Sequence, residues 1–426
     1  MSQDLLSRAA ETLKLNDLGR YTVPRHGLYP FQWNWDSCFT ALAQVYFDET
    51  RAWMEIETLF EHQWSDGMVP HIIFHKHDDG YFPGPEVWRT ERDVPTSGIT
   101  QPPVAGFTIV ELYRRSKDRD AAAERARALL LKVVKWHEWF YRCRDPMSTG
   151  LVAVIHPWET GRDNSADWDE AFERVPTEGV EPFVRKDTQH ANPAHRPTQS
   201  QYERYIWLVQ KFRSLNWDNE KLHEASPFRM VDPGFNAILL RSIAEVRGLA
   251  VELGETEIAT RSELMLKKGL NALDSLWNES INQYSCYDRI LGKLIDTPSV
   301  GGILAVFAPI PNSRALSISQ RIEIIAKTAR YLVPSHDLND ASYDGERYWR
   351  GPVWLIVNFM ISNGLDQAGL HEIAKRIKRN SLELIETGGF AEYYNPMNGN
   401  PCGGDKFTWT AAIVIEFLKN ADVSNS

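Results

Sequence analysis

The chain has 426 residues, with 47 Lys and Arg set against 57 Asp and Glu, so its formal net charge is −10 at pH 7. A chain this acidic, with no concentrated basic patch, excludes nucleic acid as the expected partner. No apolar run reaches the roughly 20 residues of a membrane span, and no basic-then-apolar leader opens the sequence. The four cysteines, Cys38, Cys143, Cys286 and Cys402, lack paired spacing. The expectation is therefore a cytoplasmic protein with free thiols.

Helix-period segments recur in chain order near 3–14, 36–47, 50–63, 104–116, 121–143, 201–213, 234–253, 256–277, 318–332, 353–363, 368–386 and 408–419, while alternating strands are few. The segment at 121–143 is typical: Ala126, Leu129, Leu130, Val133, Trp136, His137 and Phe140 form a broad apolar face. Short polar links join some pairs, whereas long aromatic ones run over 64–103, 144–200, 278–317 and 333–352. Loops of that length inside compact domains are usually functional. About a dozen helices joined in this alternating way predict an all-α barrel of helical hairpins, with the site at the long-loop end. Nothing reads as a linker, so 1–426 is expected to be one domain with insertions at about 64–103 and 144–200. The oligomeric state stays open, a homo-oligomer included.

Many of the 15 tryptophans fall in these loops. The first cluster, Leu28-Tyr29-Pro30-Phe31-Gln32-Trp33-Asn34-Trp35-Asp36, places an acid among aromatics at a helix start. Asp36 there reads either as an N-cap or as a carboxylate for sugar hydroxyls. Next, Tyr81 and Gln101 supply hydrogen-bonding reach from loops fixed by Gly and Pro. His71, His75 and His77, followed by Asp78 and Asp79, match no established metal-ligand motif. A solvated polar turn explains them as well, and no metal site is assigned.

The loop from His156 to Asp169 holds four carboxylates, two tryptophans and one glycine. A tryptophan offers a flat apolar face to the C–H side of a pyranose, while carboxylates take its hydroxyls. A second loop, Gly388-Gly389-Phe390-Ala391-Glu392-Tyr393-Tyr394, sets one glutamate among aromatics. One carboxylate from each loop, facing across a pocket, is what glycoside hydrolysis requires. Arg196 and Tyr202 bracket the start of the helix at 201–213. They read either as surface residues or as an anion site, since guanidinium grips a carboxylate bidentately. Tyr348 and Trp349 could stack on substrate, with Arg350 and Trp354 bracing their loop.

In combination these motifs resemble glycoside hydrolase family sixty-three, in particular its short members, the glucosylglycerate and mannosylglycerate hydrolases. The motifs are Trp33-x-Trp35-Asp36, Gly98-Ile99-Thr100-Gln101-Pro102-Pro103, Trp158-Glu159-Thr160-Gly161-Arg162-Asp163-Asn164-Ser165, Tyr348-Trp349-Arg350-Gly351-Pro352-Val353-Trp354 and Phe390-Ala391-Glu392-Tyr393-Tyr394. The resemblance implies an (α/α)6 barrel and an inverting α-glycoside hydrolase that needs no cofactor. It implies Asp163 as general acid and Glu392 as general base. Tyr29, Trp33, Trp35, Asp36, Gln101 and Trp158 fall on its sugar subsite, Tyr348 and Trp349 on its substrate pocket, and Arg196 with Tyr202 on its glycerate carboxylate site. The implied substrate is 2-O-glucosylglycerate or 2-O-mannosylglycerate, both compatible-solute glycosides.

This sequence departs from the pattern twice. Arg162 precedes the acid where relatives tend to carry an apolar residue, and it is expected to point away from Asp163. Asp405-Lys406-Phe407 replaces a glutamine-containing stretch. The alternatives are a neutral α-disaccharide or trehalase-like hydrolase, a sugar epimerase or isomerase working through histidines such as His156 and His195, and a non-catalytic sugar-binding protein.

Overall fold

In the computed structural model, residues 2–189 and 192–423 are described. The chain order gives α1 (Ser2–Asn16), α2 (Asn34–Gln44), α3 (Glu49–Glu61), α4 (Ala105–Arg115), α5 (Arg119–Cys143), α6 (Gln199–Arg213) and α7 (Pro233–Glu252). It continues with α8 (Thr256–Leu273), α9 (Val300–Leu304), α10 (Asn312–Ile325), α11 (Leu355–Gln367), α12 (His371–Gly388) and α13 (Thr408–Val423). An inner ring runs α2, α4, α7, α9, α11, α13 and back to α2, each packed on the next. The short α9 is lengthened by the 3-10 turn Ala305–Phe307. Each inner helix has an outer partner: α3 on α2, α5 on α4, α8 on α7, α12 on α11, and α1 on α13. α10 packs on the turn that extends α9. This is an (α/α)6 barrel.

Burial separates the two rings. All of α2 is buried, as is α11 from Leu355 to Ser362, so neither segment shows the one-sided apolar stripe of a surface helix. Outer α12 buries a single stripe, Ile373, Ala374, Ile377, Ser381, Leu384 and Ile385, spaced three and four apart. The axis is closed by aromatic rings from five inner elements. Phe359 stands edge-on to Phe39 and Phe107, Phe107 to Phe307, and Phe417 packs against Phe359.

At the C-terminal ends of α2, α4, α7 and α11 the links are short, with residues 45–48, 116–118, 253–255 and 368–370 joining each of the four to its partner. Asp48 and Asp118 cap α3 and α5 by accepting from Arg51 N and Ala121 N. At the opposite end the long loops enter the N-termini of the inner helices. They are pinned by two-residue strands such as Gln32–Trp33 against Ile72–Ile73, and Tyr393–Tyr394 against Pro401–Cys402.

Three expectations need correction. The helix expected at 318–332 is α10, Asn312–Ile325. It starts directly after Pro311, whose fixed φ suits a helix N-cap. The apolar residues Leu332 and Val333 that extended the periodic pattern are buried beyond it in a non-helical stretch. The span 278–317 is not one structureless loop, since it contains paired two-residue strands and α9. A five-residue helix carries too few turns to show a period. Asp36 is not an N-cap: Trp33 holds that position and Asp36 lies in the first turn of α2.

Candidate active site

At the long-loop end a pocket enclosing about 880 Å³, its mouth included, opens between the loops. Tyr29, Trp33, Trp35, Asp36, Tyr81, Gln101, Trp158, Asp163, Arg196, Tyr202, Tyr348 and Glu392 all face it. They come from the loops leading into α2, α4, α6, α11 and α13, with Trp35 and Asp36 in the first turn of α2 and Tyr202 near the start of α6.

The 156–169 loop resolves its four carboxylates by pairing. Glu159 is buried against Arg144 at 2.7 Å and accepts from Ile155 N at 2.9 Å. Asp167 accepts from Arg162 Nη1, Ser165 and Ser299. Asp169 takes the Arg350 guanidinium, whose Nε also donates to Asn164 O at 2.9 Å. Asp163 alone among the four has no side-chain hydrogen bond to the described residues, and its carboxyl lies on the pocket wall. Burial pushes it up to about 7 from the usual 3.8, against the pull of Arg196 and with a further push from Glu392.

Arg162 turns away from the pocket, as expected. Its guanidinium lies 2.9 Å from both Asp167 and Asp232, and its central carbon sits 2.7 Å from a Cβ placed on Gly301, so the second residue of α9 is glycine where this arginine crosses. The loop closes on its neighbour through Gly161, at φ +70, where a Cβ would come within 2.5 Å of the Trp35 ring.

Glu392 lines the same pocket from the residue before the Tyr393–Tyr394 strand, 1 % exposed. Its backbone N donates to Gly404 O. Its Oε2 accepts from Gly404 N at 3.2 Å and its Oε1 from Tyr29 at 3.2 Å. Gly403, at φ +72, cannot carry a side chain because a Cβ would lie 2.3 Å from Oε2. Burial raises the Glu392 carboxyl, while Arg196, Gly404 N–H and Tyr29 hold it down.

Asp36 is buried and one of its carboxyl oxygens has no hydrogen-bond partner among the described residues. Gln101 spends its carbonyl on Trp35 N at 3.1 Å. Trp33 stands edge-on to Tyr29 and Tyr81, and Trp158 packs on Tyr202, Tyr205 and His71. The result is a concave aromatic surface with a few aimed polar groups, which is the makeup of a sugar site.

Arg196 is not a surface residue. It is buried, donates from Nη2 to Tyr29 at 2.7 Å and lies over the Tyr348 ring at 4.2 Å. It also lies 3.5 Å from Glu392 and 3.4 Å from Asp187. Tyr202 is beside it in the same pocket, under the guanidinium of Arg185.

Trp349 does not line the pocket. It is stacked on Trp354 at 3.9 Å, and Trp354 is stacked on Tyr393. Tyr348 has φ +46, and this left-handed turn sends consecutive side chains in different directions, Tyr348 to the pocket and Trp349 into the wall. Trp354 and Arg350 brace the loops as expected.

His71, Lys186, Asp187, Phe407 and Trp409 also line the pocket, although none of them is assigned to the sugar site by the sequence alone. Asp187 carried a legible signal, an acid between the cations Arg185 and Arg196. The three histidines at 71–77 diverge: His71 bonds Ser97, His75 bonds Gln32, and exposed His77 pairs with Asp79. Among the described residues no group of three His, Cys, Asp or Glu side chains is placed to hold a metal ion. His156 lies behind the wall, accepting from Trp158 N and bonding Tyr205 O, and burial lowers it to about 3. His195 faces Glu346. Neither histidine lines the cavity, as an epimerase would need. Asp405 turns out to pair with Arg25, leaving Phe407 as that stretch's contribution to the pocket.

A model of the mannosylglycerate hydrolase MGH1-like glycoside hydrolase domain matches residues 29–410. The chain is 42% identical over 420 residues to mannosylglycerate hydrolase MGH1 of Selaginella moellendorffii, covering 98% of this chain and 86% of that one. It is 44% identical to the mannosylglycerate hydrolase of Thermus thermophilus, covering 96% of this chain and 99% of that one. A crystal structure of a Thermus thermophilus mannosylglycerate hydrolase with Tris and D-glycerate superposes with a TM-score of 0.94 at 44% identity, covering 97% of this chain and 100% of that one. The glucosylglycerate hydrolase of Mycolicibacterium hassiacum is 32% identical, covering 97% of each chain. A glycoside hydrolase in fold and in sequence from end to end, the chain belongs to the mannosylglycerate hydrolase MGH1-like family.

Proposed function

We propose that this enzyme hydrolyses 2-O-glycosylglycerates, the α-glucosyl or α-mannosyl compound, with inversion. The observation that carries the reading is the pair of carboxyls at the pocket: Asp163, unpaired and poised near neutral pH, and Glu392, held by donors. Asp163 protonates the glycosidic oxygen as the C–O bond breaks. Glu392 removes a proton from the water that attacks the opposite face of the anomeric carbon. Single displacement needs the two carboxyls about 6.5–9.5 Å apart, so that the water fits between them.

Arg196 supports a charged aglycone. It is a buried guanidinium open to the pocket beside Tyr202, in a protein whose net charge of −10 would otherwise repel an anion. Asp36 and Gln101 supply polar contacts for the sugar, and Trp33, Trp35 and Trp158 the apolar faces. This chemistry needs no metal and no organic cofactor. The four cysteines are unpaired and buried, and among the described residues no helix is long and apolar enough to cross a membrane. These features support our reading that the enzyme works in the cytoplasm.

The test is release of glucose or mannose from a panel of glycosides. Hydrolysis of glycosylglycerate well above glucosylglycerol and trehalose is expected. Preference for trehalose or another neutral disaccharide would overturn the aglycone assignment.

A further inference from the structure

The guanidinium of Arg196 lies between two carboxylates and is closed on neither. Its Nε is 3.4 Å from Asp187 Oδ2 and its Nη1 is 3.5 Å from Glu392 Oε1. A charge-assisted contact normally closes to about 2.7–2.9 Å, so each carboxylate holds the cation off the other. The side facing Asp187 is fixed. Arg185 forks onto that carboxylate, Nε to Oδ1 at 3.0 Å and Nη2 to Oδ2 at 2.6 Å. Its Nη1 donates to Pro197 O at 2.7 Å, anchoring the residue after Arg196. Arg185 also lies over the Tyr202 ring at 4.3 Å. The Arg196 guanidinium lies 4.2 Å from the centre of the Tyr348 ring and donates from Nη2 to Tyr29 at 2.7 Å, so it is braced while its Asp187 and Glu392 contacts stay open.

We infer that Asp187 is a positioning residue for catalysis: clamped by Arg185, it holds Arg196 back from the general base, so that Glu392 Oε1 carries only the Tyr29 hydrogen bond and keeps a lone pair for the proton of water. With Asp187 neutral, Arg196 needs to slide less than about 1 Å to close on Glu392. A closed pair would occupy the oxygen that must receive the proton and weaken its basicity. Other groups act on Glu392 as well. Tyr29 and Gly404 N–H donate to it, Tyr393 neighbours it, and Asp36, Asp163 and Tyr348 face it across the pocket. None of these is displaced by replacing Asp187 with a residue of the same shape.

The inference rests on Glu392 being the base, which turnover by Glu392→Gln tests separately. For the inference itself, kcat/KM is measured against pH for Asp187→Asn with neutral 2-O-glucosylglycerol as substrate. The acid limb should move to lower pH by roughly one unit, at the low end of what an opposite charge brought into contact produces. kcat should fall severalfold in protein that remains folded at the assay temperature, whatever the loss of the buried Arg185 pair costs in Tm. Asp187→Glu should restore much of both. Arg185→Ala should move the limb the other way, because the freed Asp187 then closes on Arg196 and draws it from Glu392. In an Arg196→Ala background neither substitution should move the limb beyond the small direct effect of its own charge. An unmoved acid limb in Asp187→Asn, or the same movement with Arg196 absent, overturns the inference.

Discussion

Replacing Arg196 by alanine separates a charged-aglycone hydrolase from a neutral-glycoside hydrolase on one fold. The side chain is 6 % exposed, so a carboxylate bound to it is shielded from water and salt. Losing such a charge-assisted, bidentate contact costs on the order of 1.5–3 kcal/mol, which is about tenfold to more than a hundredfold. Arg196 also lowers both catalytic carboxyls, so its removal raises both and moves the pH profile for every substrate. The comparison is therefore made at each variant's own pH optimum, as kcat/KM for glucosylglycerate against glucosylglycerol. Arg196→Ala should depress the first tenfold or more relative to the second. The loss should fall on KM if the carboxylate is gripped equally in ground and transition states, and should reach kcat if that grip aligns the anomeric carbon with the attacking water. Equal losses on both substrates would refute the assignment of glycerate to this subsite, while leaving hydrolysis by Asp163 and Glu392 intact.

Asp163→Asn and Glu392→Gln should each reduce turnover by about a hundred- to ten-thousand-fold, and a folded variant of either that keeps substantial hydrolysis removes that residue from the chemistry. Proton NMR in early turnover of an α-glycoside should show the β-anomer first, and initial α-anomer would imply a covalent intermediate instead. Asp163 must be protonated to act, so kcat/KM should decline as pH rises through about 7. The same raised carboxyl contributes stability that is fully present below about pH 4 and lost as pH rises to about 7, on the order of 4 kcal/mol. Denaturant unfolding should therefore find Asp163→Asn equal to the parent near pH 4 and more stable at pH 8, and a pH-independent difference contradicts this. Gly161→Ala forces an L residue to φ +70 and a Cβ to within 2.5 Å of Trp35. Backbone strain alone should lower unfolding free energy by about 1–3 kcal/mol, with a drop in kcat/KM, and an unchanged Tm would show that the loop relaxes without cost.

What was legible in the sequence had a period or a chemistry of its own. The hairpin rhythm was readable because outer helices such as α12 bury one stripe. The inner helices α2 and α11 remained identifiable by length and by the Gly and Pro around them. The alternation of short and long links located the site, because the barrel forces one set of connections to span from outer to inner ring at a single end. What was hidden depended on direction. Nothing in the string Tyr348-Trp349 says that a left-handed residue turns the first ring to the pocket and the second into the wall. Nor does Glu159-Thr160-Gly161-Arg162-Asp163 reveal that Arg144, remote from the pocket lining, takes the first acid and leaves the last one free. The Asp187–Arg196 contact was legible in charge, but its meaning depended on Glu392, 196 residues further on.

The two carboxyls of an inverting site must hold opposite protonation states at one pH, and the surroundings here differ in the sense required. Burial raises both, which alone would leave two neutral acids and no base. The difference lies in the donors. Glu392 has Tyr29 on one oxygen, Gly404 N–H on the other and Arg196 at 3.5 Å. Asp163 has no side-chain donor among the described residues and feels Arg196 only through space. Because each carboxyl also raises the other, ionising Glu392 favours the protonated form of Asp163, and the pair titrates as a unit whose two apparent pKa values are pushed apart. On this reasoning the first proton to leave comes from the carboxyl with more donors, which supports the proposed assignment of Glu392 as base and Asp163 as acid. A substrate carboxylate at Arg196 neutralises a cation that lowers both carboxyls, so it raises Asp163 and leaves Tyr29 and Gly404 N–H to keep Glu392 ionised. An anionic aglycone would then help keep the proton on the group that must deliver it.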